Sequence, residues 1–153
     1  MSELVIREAT GDVGALAERV LRALPDWFGI EESLLEYVAD ARVMPTWEAV
    51  LDGESVGFVT VKRHQPGSWE VHCLAVLRPT HGRGVGRALV ARVEDEARRA
   101  GQRMIHVKTM GPSRPNAEYA ATLRFYEAIG FVALEERKDI WGPTPCLLLA
   151  KAL

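Results

Sequence analysis

Two side chains that can accept a proton stand close together in the run Ser68-Trp69-Glu70-Val71-His72-Cys73-Leu74-Ala75-Val76. Its apolar residues predict a strand, and alternate side chains of a strand share a face, so Glu70, His72, Leu74 and Val76 point the same way. A carboxylate or an imidazole beside a substrate can act as a general base. Glu70 and His72 are both candidates for that role. The competing interpretation is a solvated glutamate and a hydrogen-bonded histidine on a half-exposed strand.

The same run leads into a turn with glycines at alternate positions, Gly82, Gly84 and Gly86, which opens a helix. Glycine lets the backbone approach a ligand, and the first amides of a helix have no partner within it. With the helix dipole they favour a phosphate or pyrophosphate, and Arg83 and Arg87 would add positive charge. The spacing fits neither a dinucleotide fingerprint nor a phosphate-binding loop ending in Gly-Lys-Ser/Thr. A plain strand-to-helix turn is the alternative.

The third candidate is a tyrosine near the end of a later helix, in the run Arg124-Phe125-Tyr126-Glu127-Ala128-Ile129-Gly130-Phe131. A positioned hydroxyl can protonate a departing group. Phe125 lies on one helical stripe with Ala121 and Ile129 and is expected to pack, whereas Tyr126 is expected to turn away from that stripe. We therefore favour a chemical role for Tyr126 over simple packing.

Hydrophobic periodicity and turn residues predict the elements that position these side chains. Asp12 is expected to cap the first helix, and Asp52-Gly53 to form a hairpin turn. Further turns are expected at Gln65-Pro66-Gly67 and Trp141-Gly142-Pro143. Strands are expected at 4–7, 47–51, 55–62, 68–77, 104–109, 131–137 and 146–151, and helices at 13–24, 31–42, 84–100 and 118–129. This order predicts one α/β domain spanning residues 1–153, with a mixed central sheet of about seven strands and helices on both faces.

Composition excludes several classes of protein. The chain has 153 residues, 48% of them hydrophobic, and a formal net charge of -2, which gives no electrostatic case for nucleic acid or an anionic membrane as partner. Cys73 and Cys146 lack metal-ligand spacing and are expected to be reduced and buried. Without a signal-peptide pattern or a membrane-spanning run, a cytoplasmic location is expected.

The glycine-rich turn resembles the acetyl-CoA signature of the GNAT superfamily of N-acetyltransferases, Arg/Gln-x-x-Gly-x-Gly/Ala between a strand and a long helix. Gly84 and Gly86 match the signature, while His81 occupies the usual Arg/Gln position. The run from Phe125 to Phe131 resembles the Phe-Tyr-Glu-x-x-Gly-Phe segment of the same family. The resemblance covers the chain well from about Ser55 onward and, before that, mainly in the order of elements.

The resemblance implies a fold, a cosubstrate and residue roles. Acetyl-CoA would bind through the backbone of Leu74, Ala75 and Val76 and through Gly82, Arg83, Gly84, Val85, Gly86 and Arg87. Tyr126 would protonate the coenzyme A thiolate. Glu70 stands six residues before Val76, where some members carry a glutamate base, and His72 or water remains an alternative. No metal is expected, and a homodimer is possible.

The sequence does not identify the acceptor. The resemblance implies transfer of the acetyl group to a primary amine of a small molecule or peptide; the alternatives are a protein acetyltransferase acting on N-termini or lysines, and a non-catalytic acetyl-CoA-binding regulatory module. A cluster of aromatic and acidic residues could bind a cationic amine, although a solvated helix surface with two core aromatics is the favoured interpretation. Its members are Trp27, Phe28, Glu31, Glu32, Glu36, Tyr37 and Asp40.

Overall fold

The computed structural model describes residues 2–64 and 66–153. The strands are β1 (Leu4–Glu8), β2 (Thr46–Leu51), β3 (Glu54–Arg63), β4 (Ser68–Val76), β5 (Met104–Met110), β6 (Val132–Trp141) and β7 (Thr144–Ala152). The helices are α1 (Val13–Arg22), α2 (Glu31–Val43), α3 (Val85–Arg99) and α4 (Ala117–Ala128), and a short 3₁₀ turn covers Arg78–Thr80. Every strand and helix predicted from the sequence is present, in the predicted order.

Local signals explain where several elements begin and end. The Asp12 carboxylate accepts a hydrogen bond from the Ala15 amide at 3.0 Å and so caps α1 as predicted. Asp52 and Gly53 have φ values of 50° and 85°, which a two-residue hairpin turn of the type I′ kind requires. Gly101 and Gly130 follow α3 and α4 with positive φ.

Most predicted boundaries agree within two residues, with larger or otherwise notable differences at a few positions. The helix α1 ends at Arg22, short of the predicted residue 24, and β6 runs on to Trp141, which leaves Gly142 and Pro143 as the turn before β7. The 3₁₀ turn was not predicted. Of the turn predicted at Gln65-Pro66-Gly67, Gln65 lies outside the described residues, while Pro66 and Gly67 form a turn.

The strands form one seven-stranded mixed sheet in the order β1-β2-β3-β4-β5-β7-β6, which confirms the predicted α/β class. The chain also divides into two compact units, each described here by itself. The first comprises the residues up to Lys62 together with Val71–Glu96, and the second comprises Arg63–Glu70 and Ala97–Leu153. Among residues 2–64 and 66–153, no helix has the length and apolar character needed to cross a membrane.

In the first unit, α1 and α2 cover one side of β3 and β4 with an apolar core. Cys73 and Ala75 of β4 enter this core beside Phe58 of β3. The helices contribute fully or almost fully buried side chains: Ala17, Val20, Leu21, Leu34, Val38 and Ala41. This packing aligns β4, in which Leu74 and Val76 are half-buried.

In the second unit, β7 lies between β5 and β6 and pairs antiparallel with both. Ile105 of β5 and Leu149 of β7 are completely buried. By contrast, almost every side chain of β6 is exposed, as expected for a strand at the edge of a sheet. Both cysteines of the chain are buried free thiols, as predicted, and burial raises the pKa of Cys73 and of Cys146.

Candidate functional site

The turn after β4 has the backbone that its glycines suggested. Gly82 and Gly84 have φ values of 80° and 81°, in the left-handed region that favours glycine, and a Cβ atom at either position would meet no atom within 4 Å. These glycines are therefore required by conformation and not by crowding within the chain. The open space in front of them is what a closely approaching ligand would need.

The start of α3 leaves several amides available to such a ligand. The first hydrogen bond within the helix runs from the Ala88 amide to the Gly84 carbonyl at 3.0 Å. The amides of Val85, Gly86 and Arg87 precede that bond and so have no carbonyl to bind within the helix. The side chain of Arg87 is exposed, and Arg83, also exposed, donates to the Ser2 hydroxyl at 2.7 Å. Amides and a dipole pointing outward make this helix start suited to an anion.

His81, the residue that departs from the signature, links the turn to the end of β4. Its Nε2 donates to the Val76 carbonyl at 2.7 Å, and its ring lies edge-on to that of Trp27, 5.7 Å away. The guanidinium of Arg78 covers the Trp27 ring at 4.8 Å and pairs with Asp26 at 2.8 Å. His81 therefore ties the end of β4 to the turn by a contact that the sequence did not reveal.

The end of β4 is also held by β3. The Leu77 amide donates to the Val56 carbonyl at 2.8 Å. A Cβ atom on Gly57 would lie 2.8 Å from the Ala75 carbonyl oxygen, so only glycine lets the two backbones come this close. The segment Leu74, Ala75 and Val76 is consequently held close to β3 where it enters the turn.

The two candidate bases have different partners. His72 donates from Nε2 to the Asp40 carboxylate of α2 at 2.8 Å, and its ring lies 5.4 Å from that of Tyr37. Its side chain is 18% exposed. An imidazole held by a carboxylate on one nitrogen can exchange a proton through the other. His72 thus belongs to a pair suited to base chemistry, and no local sequence pattern indicates Asp40, 32 residues away, as its partner.

Glu70 is buried among cationic and proton-exchanging groups of the second unit. Its side chain is 5% exposed, with Oε1 2.6 Å from His64 Nε2 and Oε2 3.6 Å from the Lys108 ammonium. The His106 ring lies 5.3 Å from that of His64, and its Nδ1 is 2.6 Å from the Ser68 hydroxyl. Burial lowers the pKa of His106. The competing interpretation of Glu70 as a solvated glutamate is therefore wrong, because the carboxylate is enclosed and has a partner at each oxygen.

The His64, Glu70 and His106 side chains also form a group with metal-ligand chemistry. One ligand atom from each lies within 4.8 Å of the others. Sequence reasoning missed this group because its members are separated by six and by 36 residues, which is no known metal-binding spacing. Only the pairing of strands brings them together.

Tyr126 is buried, with 4% of its surface exposed, and its ring meets those of Phe125 and Phe131 edge-on at 5.2 Å and 5.3 Å. The prediction that Phe125 packs while Tyr126 turns away is wrong, because Phe125 is only half-buried. Packing is therefore part of what Tyr126 does. Asn116 has a structural role, since its side chain accepts from the Tyr119 amide at 3.0 Å and caps α4.

Several residues of the aromatic and acidic cluster that could bind a cationic amine already contact other residues of the chain. Glu31 accepts two hydrogen bonds from Arg22, at 2.8 and 2.9 Å, and this pairing lowers the pKa of Glu31. Trp27 and Phe28 pack against the apolar core, in line with the favoured interpretation of the cluster. The Asp40 carboxylate accepts the hydrogen bond from His72.

Comparison with known proteins matches residues 15–131 to the model of the Acetyltransferase (GNAT) family. All the candidate residues from Glu70 to Tyr126 lie inside the matched region. Comparison with the curated proteins found no match.

Solved structures share the fold over nearly the whole chain. A protein assigned to the GNAT acetyltransferase family from Desulfovibrio desulfuricans has a TM-score of 0.82 and 21% identity, covering 98% of this chain and 99% of that one. An aminoglycoside 6'-N-acetyltransferase complexed with coenzyme A has a TM-score of 0.77 and 20% identity, covering 97% and 96%. The ribosomal-protein-S18-alanine N-acetyltransferase from Escherichia coli has a TM-score of 0.77 and 16% identity, covering 98% and 94%. The anion-suited turn after β4, the sheet and the match of residues 15–131 lead to one conclusion: this chain belongs to the GNAT family of acetyltransferases.

Proposed function

We propose that the protein transfers an acetyl group from acetyl-CoA to a primary amine of a small molecule or peptide. The observation that carries the proposal is the start of α3, where Gly82 and Gly84 hold a left-handed turn and successive amides have no partner within the helix. A pyrophosphate is the anion that coenzyme A would offer to these amides. An aminoglycoside acetyltransferase and a ribosomal-protein acetyltransferase of similar fold illustrate that this fold serves small and protein acceptors alike.

In the proposed reaction a base removes a proton from the ammonium form of the acceptor. The amine nitrogen then forms a bond to the thioester carbonyl carbon, and an amide of the segment Leu74 to Val76 polarises the carbonyl oxygen. When the tetrahedral intermediate collapses, the carbon–sulfur bond breaks and the thiolate takes a proton from the Tyr126 hydroxyl. The nitrogen, which still carries its second proton, releases it to solvent to become the amide, and solvent returns a proton to the Tyr126 phenolate. The products are an N-acetylated amine and free coenzyme A, and no metal is required.

Glu70 is the base that we favour, because a buried carboxylate with one oxygen beside an imidazole has a partner to which it can pass the proton. His64 is 31% exposed and could release that proton to solvent. The alternative base is His72, which Asp40 holds at 2.8 Å. A base accelerates such a step by about 10²- to 10⁴-fold, so the two candidates are separable by kinetics.

The test is acetyl-CoA-dependent release of free thiol with a panel of polyamines, aminoglycosides, amino acids and short peptides. We expect Tyr126→Phe to lower kcat by at least about tenfold and to leave acetyl-CoA binding unchanged in calorimetry. Tyr119→Phe makes the same chemical change on the same helix and serves as the matched control. Full turnover by Tyr126→Phe would contradict the acid role.

Glu70→Gln and His72→Gln, measured on the same substrate, identify the base. We expect Glu70→Gln to cause the larger fall in kcat. A larger effect of His72→Gln would transfer the role to the His72–Asp40 pair. Acetyl-CoA binding without turnover on any amine would favour a protein acceptor, if acetylation of protein extracts is then detected, or otherwise a binding module.

A further inference from the structure

We propose that His64, Glu70 and His106 form a binding site for a divalent transition-metal ion of the Zn²⁺ type. The three side chains come from the residue that follows β3, from β4 and from β5, and one ligand atom of each lies within 4.8 Å of the others. Two imidazoles and one carboxylate are a donor set that Zn²⁺ accepts, with a fourth position left for water or another ligand. The binding part of this inference is independent of the proposed acetyl transfer.

A hydrogen bond constrains each of the two imidazole rings. Ser68 is 2.6 Å from Nδ1 of His106, which fixes that ring and leaves Nε2 as its second nitrogen. Metal-binding histidines are commonly held in this way by a partner on the other nitrogen. On His64 it is Nε2 that faces Glu70 Oε1, at 2.6 Å. Donor atoms around a tetrahedral Zn²⁺ stand about 3.3 Å apart, so shifts of about 1–1.5 Å would close the group on an ion.

Access and charge are also compatible with metal binding. Glu70 is 5% exposed, whereas the His64 side chain is 31% exposed, so an ion could enter past His64 while the carboxylate stays enclosed. The ammonium of Lys108 lies 3.6 Å from Glu70 Oε2 and opposes a second positive charge. An ion therefore binds on the Oε1 side, between the two imidazoles, and Lys108 lowers the affinity.

The experiment is a Zn²⁺ titration of chelator-treated protein by calorimetry, with the bound metal counted by elemental analysis after dialysis. We expect one ion per chain, and a loss of affinity of at least about tenfold in each of His64→Ala and His106→Ala. His72→Ala removes a histidine outside the group and should bind as the unaltered protein does. Melting curves without metal show whether each variant is folded.

Two further measurements sharpen the result. Co²⁺ in the site should give the visible absorption of a four-coordinate ion, and His64→Ala should lose it. Lys108→Gln should bind Zn²⁺ more tightly, because it removes a repelling charge. Absence of binding, or binding that survives both His64→Ala and His106→Ala, would overturn the inference, as would an adventitious ion only, lost on dialysis.

Activity separates this inference from the proposed function. If Glu70 is the base, Zn²⁺ on its Oε1 should inhibit acetyl transfer, and a chelator should restore it. His64→Ala should be less sensitive to Zn²⁺. Specific binding without inhibition would leave the metal site standing and would contradict only the base role of Glu70.

Discussion

Replacing Gly84 by alanine tests whether the turn before α3 binds acetyl-CoA. Gly84 has φ of 81° and Gly53, in the hairpin between β2 and β3, has φ of 85°. A Cβ atom at either position meets nothing within 4 Å. The two alanine variants therefore carry the same backbone strain, about 1–2 kcal/mol, without any steric clash inside the chain.

The backbone strain should lower the melting temperature by a measurable amount. For a chain of this length, 1 kcal/mol lowers the melting temperature by about 2–4 °C, so both variants should melt about 2–8 °C lower. In Gly84→Ala the turn can relieve the strain by moving φ to negative values, and the amides of Gly84 and Val85 then rotate. Each hydrogen bond to a charged phosphate contributes about 1.5–3 kcal/mol, which corresponds to an affinity loss of about 10- to 150-fold.

The assay is calorimetric titration with acetyl-CoA beside a melting curve for both variants. We expect comparable melting temperatures, with weakened acetyl-CoA binding in Gly84→Ala and unchanged binding in Gly53→Ala. Unaltered affinity in Gly84→Ala would refute the assignment of the turn as the pyrophosphate site. Equal loss in both variants would show that global destabilisation, and not the turn, sets the affinity.

Two further predictions concern stability. Burial raises the pKa of Cys73 above the ordinary thiol value of 9.0, so above that pH the unfolded chain releases a proton that the folded chain retains. The free energy of unfolding should therefore fall with rising pH, by up to about 1.4 kcal/mol per pH unit through this group. In denaturant titrations from pH 8 to about 10, the free energy of unfolding of Cys73→Ala should fall less steeply with pH. The same pH dependence in both proteins would contradict the raised pKa. The Thr46 hydroxyl meets the completely buried Thr60 hydroxyl at 3.0 Å. Thr46→Val should cost about 1–3 kcal/mol in urea unfolding, and adding Thr60→Val should recover part of that loss, whereas additive losses would argue against the pair.

Much of the fold could be predicted because its signals are local. Asp12 marks the start of α1 because its side chain can cap the helix. Asp52-Gly53 marks the hairpin and Gly130 the end of α4, because both places need positive φ values. Each signal depends only on residues nearby in the chain. The turn at Gly82 and Gly84 could also be predicted from local signals, because its suitability for an anion depends on backbone conformation and on the start of a helix. Element order then supplied the α/β class.

The side-chain environments could not be predicted, because they depend on residues distant in the chain. Glu70 was expected to be as easily solvated as catalytic, yet strand pairing encloses it with His64 and Lys108. Tyr126 was expected to turn away from the packed stripe, but the tertiary fold buries it against Phe131. Helical periodicity locates a stripe only approximately, and it does not say how much of the helix neighbouring elements cover.

The sequence by itself thus determined the order of elements, the anion-suited turn and the residues that can do chemistry, since each follows from backbone geometry or residue type within a short window. Tertiary structure alone decided which partner each titratable side chain has: Asp40 for His72, 32 residues away, and His64 with Lys108 for Glu70. Those partners set the charge and burial around a group, and thereby whether it can act as a base or bind an ion.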